Sequence, residues 1–212
     1  MQIAIALYPG FTSLDAIGPY QVLQHLPGAQ VVWCAAQPGV VVDDAGLLRV
    51  EIDHSLSDVP QPDVLVVPGG MVTRDLARSD EPIVEWIRAA HPTTSWTTSV
   101  CTGALLLGAA GVLDGRRATT HWTAYDDLAT FGATPTDERV VIEGRVVTGA
   151  GVSAGIDMAL HLASQIAGPE IAQAIQLAIE YDPQPPFDAG SPSKANPAIR
   201  QGLLDYMAAG AA

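Results

Sequence analysis

A chain of 212 residues, 48% of them apolar and only 16% charged, has the material for one filled α/β core and is too apolar for extended disorder. Asp and Glu outnumber Lys and Arg by 23 to 10, a formal net charge of -13 that repels phosphate backbones and argues against nucleic acid as a partner. The two cysteines, Cys34 and Cys101, cannot make a disulfide framework, and neither has a second Cys at metal-ligand spacing, so the expected setting is a reducing cytoplasm with no metal.

In chain order, the first element is a strand over Ile3 to Leu7, with no basic and apolar leader pattern before it, so export is not expected. Pro19 suits a helix first turn, where its missing N–H costs nothing, and a helix is predicted from Pro19 to Leu26. Strands follow at Gln30 to Ala35 and Val64 to Val67, then a helix from Glu81 to Ala90 and a strand from Ser95 to Ser99. The nearly apolar run Ala104 to Leu113 is far shorter than the roughly 20 residues a bilayer span needs. It belongs to a buried helix predicted over Thr102 to Gly111, and no membrane partner is expected. A strand at Arg145 to Thr148 and helices over Ala154 to Ile166 and Pro169 to Ile179 complete the alternation. Apolar strands with helices between them predict a mostly parallel sheet covered on both faces. The expected organisation is an α/β domain over residues 1–181, followed by a Pro-rich strap and a last helix, Ala198 to Ala209, over residues 182–212.

Three strand ends carry chemistry. The segment Ser95–Leu107 passes from strand to helix pattern within a residue or two, and Cys101 sits at that junction, an elbow that lifts a side chain clear of the sheet. A helix start aimed at the sulfur would favour thiolate. The other reading of Cys101 is a small buried hydrophobe. Cys34, inside Val31–Ala35, is read as core. Asp15 lies in the turn-rich stretch after the first strand, at the sheet edge where open parallel sheets bind ligands; a helix-capping role is its alternative. Val67-Pro68-Gly69-Gly70 ends a third strand with two glycines whose N–H groups are open to a ligand, or with an ordinary tight turn.

These residues, with Leu14–Pro19, Leu107–Gly111, Arg117–Trp122, Ala154–Asp157, Pro185–Phe187 and Ala189–Pro192, resemble the ThiJ/PfpI superfamily over nearly the whole chain. Asp15, where many relatives carry Glu, and the late Pro-Pro-Phe strap are most similar to its isocyanide-hydrating members. The resemblance implies a flavodoxin-like three-layer sandwich with a cysteine nucleophile elbow and a homodimer. It also implies Cys101 as nucleophile, Asp15 as acid/base partner, Thr102 shaping the turn and helping to hold Asp15, and Gly69 and Gly70 as backbone donors. At Thr148–Val152 this chain has Ala150 where a further glycine is expected. Peptidase-like members place His directly after the nucleophile; here Thr102 follows, and His121 is expected to be a structural histidine.

The activity implied is addition of water to a small-molecule isocyanide, giving an N-substituted formamide through a Cys101 thioimidate, with no metal or organic cofactor. An ionised Asp15 would oppose a Cys101 thiolate, so the two are expected to share protons. Two alternatives stand: a sibling enzyme acting on 2-oxoaldehydes through the same cysteine, and a cysteine-based redox or ligand sensor domain. AraC-type regulators fuse similar domains to DNA-binding modules, which are not expected here.

Overall fold

Short runs of β-branched residues, apolar at every position, form strands only where both faces are covered; Val64–Val67 is such a run and is buried throughout. The computed structural model describes residues 1–210. Its elements in chain order are β1 (Gln2–Ala6), α1 (Ser13–Leu23), β2 (Gln30–Ala35), β3 (Gly39–Val42), β4 (Arg49–Ile52), β5 (His54–Ser55), β6 (Val64–Val67), α2 (Thr73–Leu76), α3 (Pro82–Ala90), β7 (Trp96–Val100), α4 (Gly103–Ala109), β8 (Arg117–Ala118), α5 (Tyr125–Ala129), β9 (Thr134–Pro135), β10 (Val140–Glu143), β11 (Val146–Gly149), α6 (Ala154–Ala167), α7 (Pro169–Ala178) and α8 (Pro197–Gly210). Two units are distinct, Met1–Ile179 and the segment from Glu180 onward.

The first unit is an α/β, flavodoxin-like sandwich. Its seven-stranded sheet runs β10-β11-β7-β6-β1-β2-β5, parallel except for the β10–β11 hairpin. Helices α1 and α6 pack on each other, as do α3 and α4. Strand order reverses at β1, which pairs with β2 on one side and β6 on the other. In open α/β sheets, ligands bind outside the carboxyl ends of the strands at such a switch.

One expectation is corrected. Pro19 does not start α1; the helix begins at Ser13 and carries Pro19 inside it. The proline forfeits a single hydrogen bond to the Asp15 carbonyl, and its ring is buried against α6, where a Cβ on Gly155 would lie 3.2 Å from Pro19 Cδ. Asp15 therefore stands in the first turn of a helix. Pro82 and Pro169 do open their helices. The β3–β4 hairpin, absent from the prediction, lies outside the main sheet.

The second unit holds α8, with Lys194 paired to Asp188 at 2.7 Å and Asn196 accepting the Ala198 N–H at 2.9 Å. Phe187, Ile199 and Tyr206 are exposed. Among the described residues no helix is long and apolar enough to cross a membrane.

Candidate active site

Strands β1, β6 and β7 end at one edge, where the chain leaves them through the stretch to Asp15, the Pro68-Gly69-Gly70 turn and Cys101. The change from strand to helix is completed in Cys101 itself, whose φ of 55° is left-handed, a conformation most L-residues avoid. It is held there from both sides. Its N–H donates to the carbonyls of Gly149 at 3.0 Å and Ala150 at 2.8 Å, and its carbonyl accepts from Thr120 Oγ1 at 2.9 Å. A Cβ on Gly103 would sit 2.3 Å from the Val67 carbonyl oxygen, so glycine lets α4 start directly against β6. Such over-determination is what retains a strained nucleophile turn.

Asp15 is wholly buried, and its Oδ2 accepts the Gly69 N–H at 2.9 Å. Thr102 Oγ1 accepts the Gly70 N–H and donates to the Gly70 carbonyl, both at 3.0 Å. Both glycine N–H groups are thus engaged inside the protein, Gly69 on the carboxylate and Gly70 on the threonine. Thr102 bears on Asp15 through this turn, its hydrogen bonds being to Gly70. A Cβ on Gly69 would lie 2.7 Å from Asp15 Oδ2, Thr102 N and Thr102 Oγ1 alike, so the turn, the acid and the elbow meet at one point. Asp15 Oδ1 is buried without a hydrogen-bond partner among the described residues, and the Cys101 thiol faces the same carboxyl.

Electrostatics corrects a second expectation. Burial, and then the neighbouring Asp15, push the Cys101 thiol up to about 12, with the Val152 and Thr102 N–H groups pulling the other way. The start of α4 does not prevail, because the helix is short and Cys101 is only 6% exposed. Burial likewise raises Asp15 to about 7, against the lowering effect of the Gly69 N–H and the thiol. Tyr8 is raised by burial and by Asp15, and its hydroxyl donates to the Pro68 carbonyl at 2.7 Å. Two acids that each resist ionisation beside the other titrate as a pair.

Val152 closes the Thr148–Val152 turn after β11 and its N–H reaches the sulfur, a backbone role that its apolar side chain does not signal. Ala150 fills its place in that turn without a left-handed backbone, donating its N–H to Arg139 O at 2.9 Å. His121 lies against the same turn: a Cβ on Gly151 would be 2.9 Å from His121 Cδ2. Its Nδ1 is engaged with Thr123 Oγ1 at 2.8 Å, and burial lowers its proton affinity. Cys34 is core, its Sγ 3.8 Å from the Ile5 carbonyl oxygen. Among the described residues, no group of three or more His, Cys, Asp or Glu is arranged to hold a metal ion.

The DJ-1/PfpI family model matches residues 1–165, which hold this sheet, elbow and carboxyl, and the chain belongs to that family. It is 46% identical over 201 residues to a Pseudomonas putida protein described as isonitrile hydratase, covering 94% of this chain and 86% of that one. A solved ThiJ/PfpI family protein from Pseudomonas syringae superposes with a TM-score of 0.93 at 38% identity, covering 98% of this chain and 86% of that one. The transcriptional regulator CdhR of Pseudomonas aeruginosa, of HTH type, is 32% identical over 173 residues, which cover 78% of this chain and 51% of the regulator.

Proposed function

We propose that this protein is an isocyanide hydratase, isocyanide and isonitrile being two names for one functional group. The observation that carries the reading is the buried Cys101–Asp15 pair, in which the thiol faces a carboxyl anchored by Gly69. The 46% identity to the Pseudomonas putida isonitrile hydratase supports the same activity.

An isocyanide carbon first accepts a nucleophile and then needs a proton on the same atom, and the pair supplies both. Asp15 takes the thiol proton as the Cys101 sulfur bonds to the terminal carbon, then delivers it to that carbon, giving a thioimidate, R–N=CH–S. Water adds to this carbon with a proton passing to nitrogen. The C–S bond then breaks as the carbonyl forms, the hydroxyl proton returns to sulfur through Asp15, and the products are R–NH–CHO and the free thiol. Thr102 shapes the elbow and holds Gly70, and Gly69 is the donor that orients Asp15. Neither a metal nor an organic cofactor takes part in these steps.

A neutral apolar substrate suits a buried site whose charged neighbours, Asp15 and Asp44, are acidic. The test is formamide production from a simple alkyl isocyanide beside consumption of methylglyoxal by the same preparation. Formamide that disappears with Cys101→Ala supports hydration; turnover of methylglyoxal alone would replace it with carbonyl chemistry. We also infer a homodimer, supported by the exposed apolar side chains Phe187, Ile199 and Tyr206, with residues 182–212 as a strap and terminal helix. Light scattering on the intact chain checks that state.

A further inference from the structure

Thr12 occupies the N-cap position of α1, yet its hydroxyl does not cap the helix. It donates instead to Asp44 Oδ2 at 2.6 Å, and the next hydroxyl, Ser13 Oγ, donates to Asp43 Oδ2 at 2.5 Å. Both carboxylates stand in the loop of the β3–β4 hairpin, at residues 43–48. Asp43 is nearly buried, and its other oxygen accepts the N–H groups of Leu47 at 2.9 Å and Leu48 at 3.0 Å, which hold the loop closed. These hydrogen bonds keep its carboxyl below the usual carboxylate range, Ser13 contributing most.

The backbone carries the same connection. Gly10 N–H donates to the Val42 carbonyl and Asp44 N–H to the Phe11 carbonyl, both at 2.9 Å, while Thr12 N–H donates to the Gly69 carbonyl at 2.8 Å. Phe11 bridges Asp43 on one side and Gly70 on the other. Residues 10–13 are therefore a strap between the hairpin loop and the Pro-Gly-Gly turn, and Asp15 stands two residues beyond its end. Neither the family-wide elbow nor the Asp15 motif includes this loop.

We propose that Asp43 and Asp44 are positioning residues for Asp15: the hairpin loop clamps the first turn of α1 through Ser13 and Thr12 and so holds the Asp15 carboxyl in its place beside Cys101. This rests on the reading of Asp15 as the proton partner of Cys101. Asp43 acts through Ser13, and its contribution is geometric. Asp44 also acts through space: its negative charge adds to the burial that raises Asp15, and it raises Tyr8 as well. The titratable groups whose charge or hydrogen bonding couples to the Asp15 carboxyl are Cys101 from the elbow, Tyr8 from the end of β1 and, through space, Asp44 from the hairpin loop. Helix α6 meets α1 through Ile156 and Gly155, packed against Gly18 and Pro19.

The experiment uses the full chain with Asp43→Asn, Asp44→Asn and Ser13→Ala, each checked for folding by its thermal melt. Two readouts are taken: iodoacetamide alkylation of Cys101 against pH, with the adduct located by mass spectrometry, and kcat and KM for formamide production. By freeing the first turn of α1, Asp44→Asn should draw the Asp15 charge away from the sulfur and move the rise of Cys101 alkylation to lower pH, while Cys34, whose thiol is raised by burial alone, keeps its wild-type profile; general loosening would move both. Asp43→Asn and Ser13→Ala should each lower kcat on the order of ten-fold with KM nearly unchanged, as a small misplacement of a reacting group does. The double variant should be no worse than either single one, because both break one contact. An unmoved alkylation profile in folded Asp44→Asn, or wild-type kcat in folded Ser13→Ala, overturns the proposal; Ser13→Ala probes the contact even where Asp43→Asn fails to fold. Alkylation needs no substrate assignment. If the wild type makes no formamide while Asp44→Asn still shifts the profile, the hydratase reading fails and the clamp stands.

Discussion

The two ends of β7 carry polar clusters of opposite kinds. At its start, His91 Nδ1 meets Thr97 Oγ1 at 2.8 Å, and Thr97 meets Thr94 Oγ1 at 2.7 Å. Arg145 closes the group by donating to the carbonyls of His91 and Thr94, both at 2.6 Å. At its far end stand Cys101 in a left-handed backbone and Asp15, and among the described residues neither Asp15 Oδ1 nor the buried Ser99 Oγ within the strand has a hydrogen-bond partner. A satisfied cluster holds the sheet together, whereas an unsatisfied one keeps its groups out of their most comfortable ionisation states and ready to react. One strand thus has a structural end and a chemical end.

The sharpest way to break this contrast is to remove the reacting atom. Cys101→Ala should lose formamide production by at least about 10³-fold while its melting temperature stays near that of the wild type, measured by turnover and calorimetry. Asp15→Asn should lower kcat by about 10² to 10⁴-fold and stabilise the fold at high pH. The sign follows from a carboxyl raised from 3.8 to about 7 in the folded state. The native state holds its proton where the unfolded chain releases it, so the associated stability is full below about pH 4 and lost as pH rises through about 7. At pH 8 the Asn variant should therefore melt higher, by at most about 4 kcal/mol, and the advantage should vanish near pH 4.

Gly69→Ala places a methyl where Asp15, Thr102 and the turn converge. It should destabilise the chain by about 1–3 kcal/mol and lower kcat more than it raises KM. At the structural end, Arg145→Met strands two carbonyls and should also cost about 1–3 kcal/mol, with kcat unchanged under conditions where it stays folded. The smallest effect belongs to His91, whose proton affinity is lowered by burial and by Arg145. The unfolded chain takes up that proton first, so stability drains as pH falls below about 6.5. His91→Gln should soften this acid-side loss by a few degrees in melting temperature.

Much of this fold was legible because parallel strands buried on both faces announce themselves. Gln30–Ala35 and Val64–Val67 form strands over the predicted residues. Helix α1 was misjudged because a proline inside a helix and one at its first turn look alike until the packing against α6 is known. The β3–β4 hairpin was overlooked although Asp43-Asp44-Ala45-Gly46 between two Val-containing runs is a turn signal. With it went the carboxylates that grip Thr12 and Ser13. Cys101, Asp15 and the two glycines were read from the strand ends that carry them and Thr102 from the family resemblance, and the structure brings all five side by side. The direction of the thiol's shift was not legible, since a helix start is visible in the sequence and burial is not.

The left-handed backbone at position 101 has a consequence for replacement chemistry. A side chain branched at Cβ would crowd its own backbone there, so a hydroxyl nucleophile can be installed as serine at far less cost than as threonine. Glycine is the residue this conformation prefers. Cys101→Gly should thus be more stable than Cys101→Ala, and the gap between the two variants weighs the strain that the chain carries at the elbow.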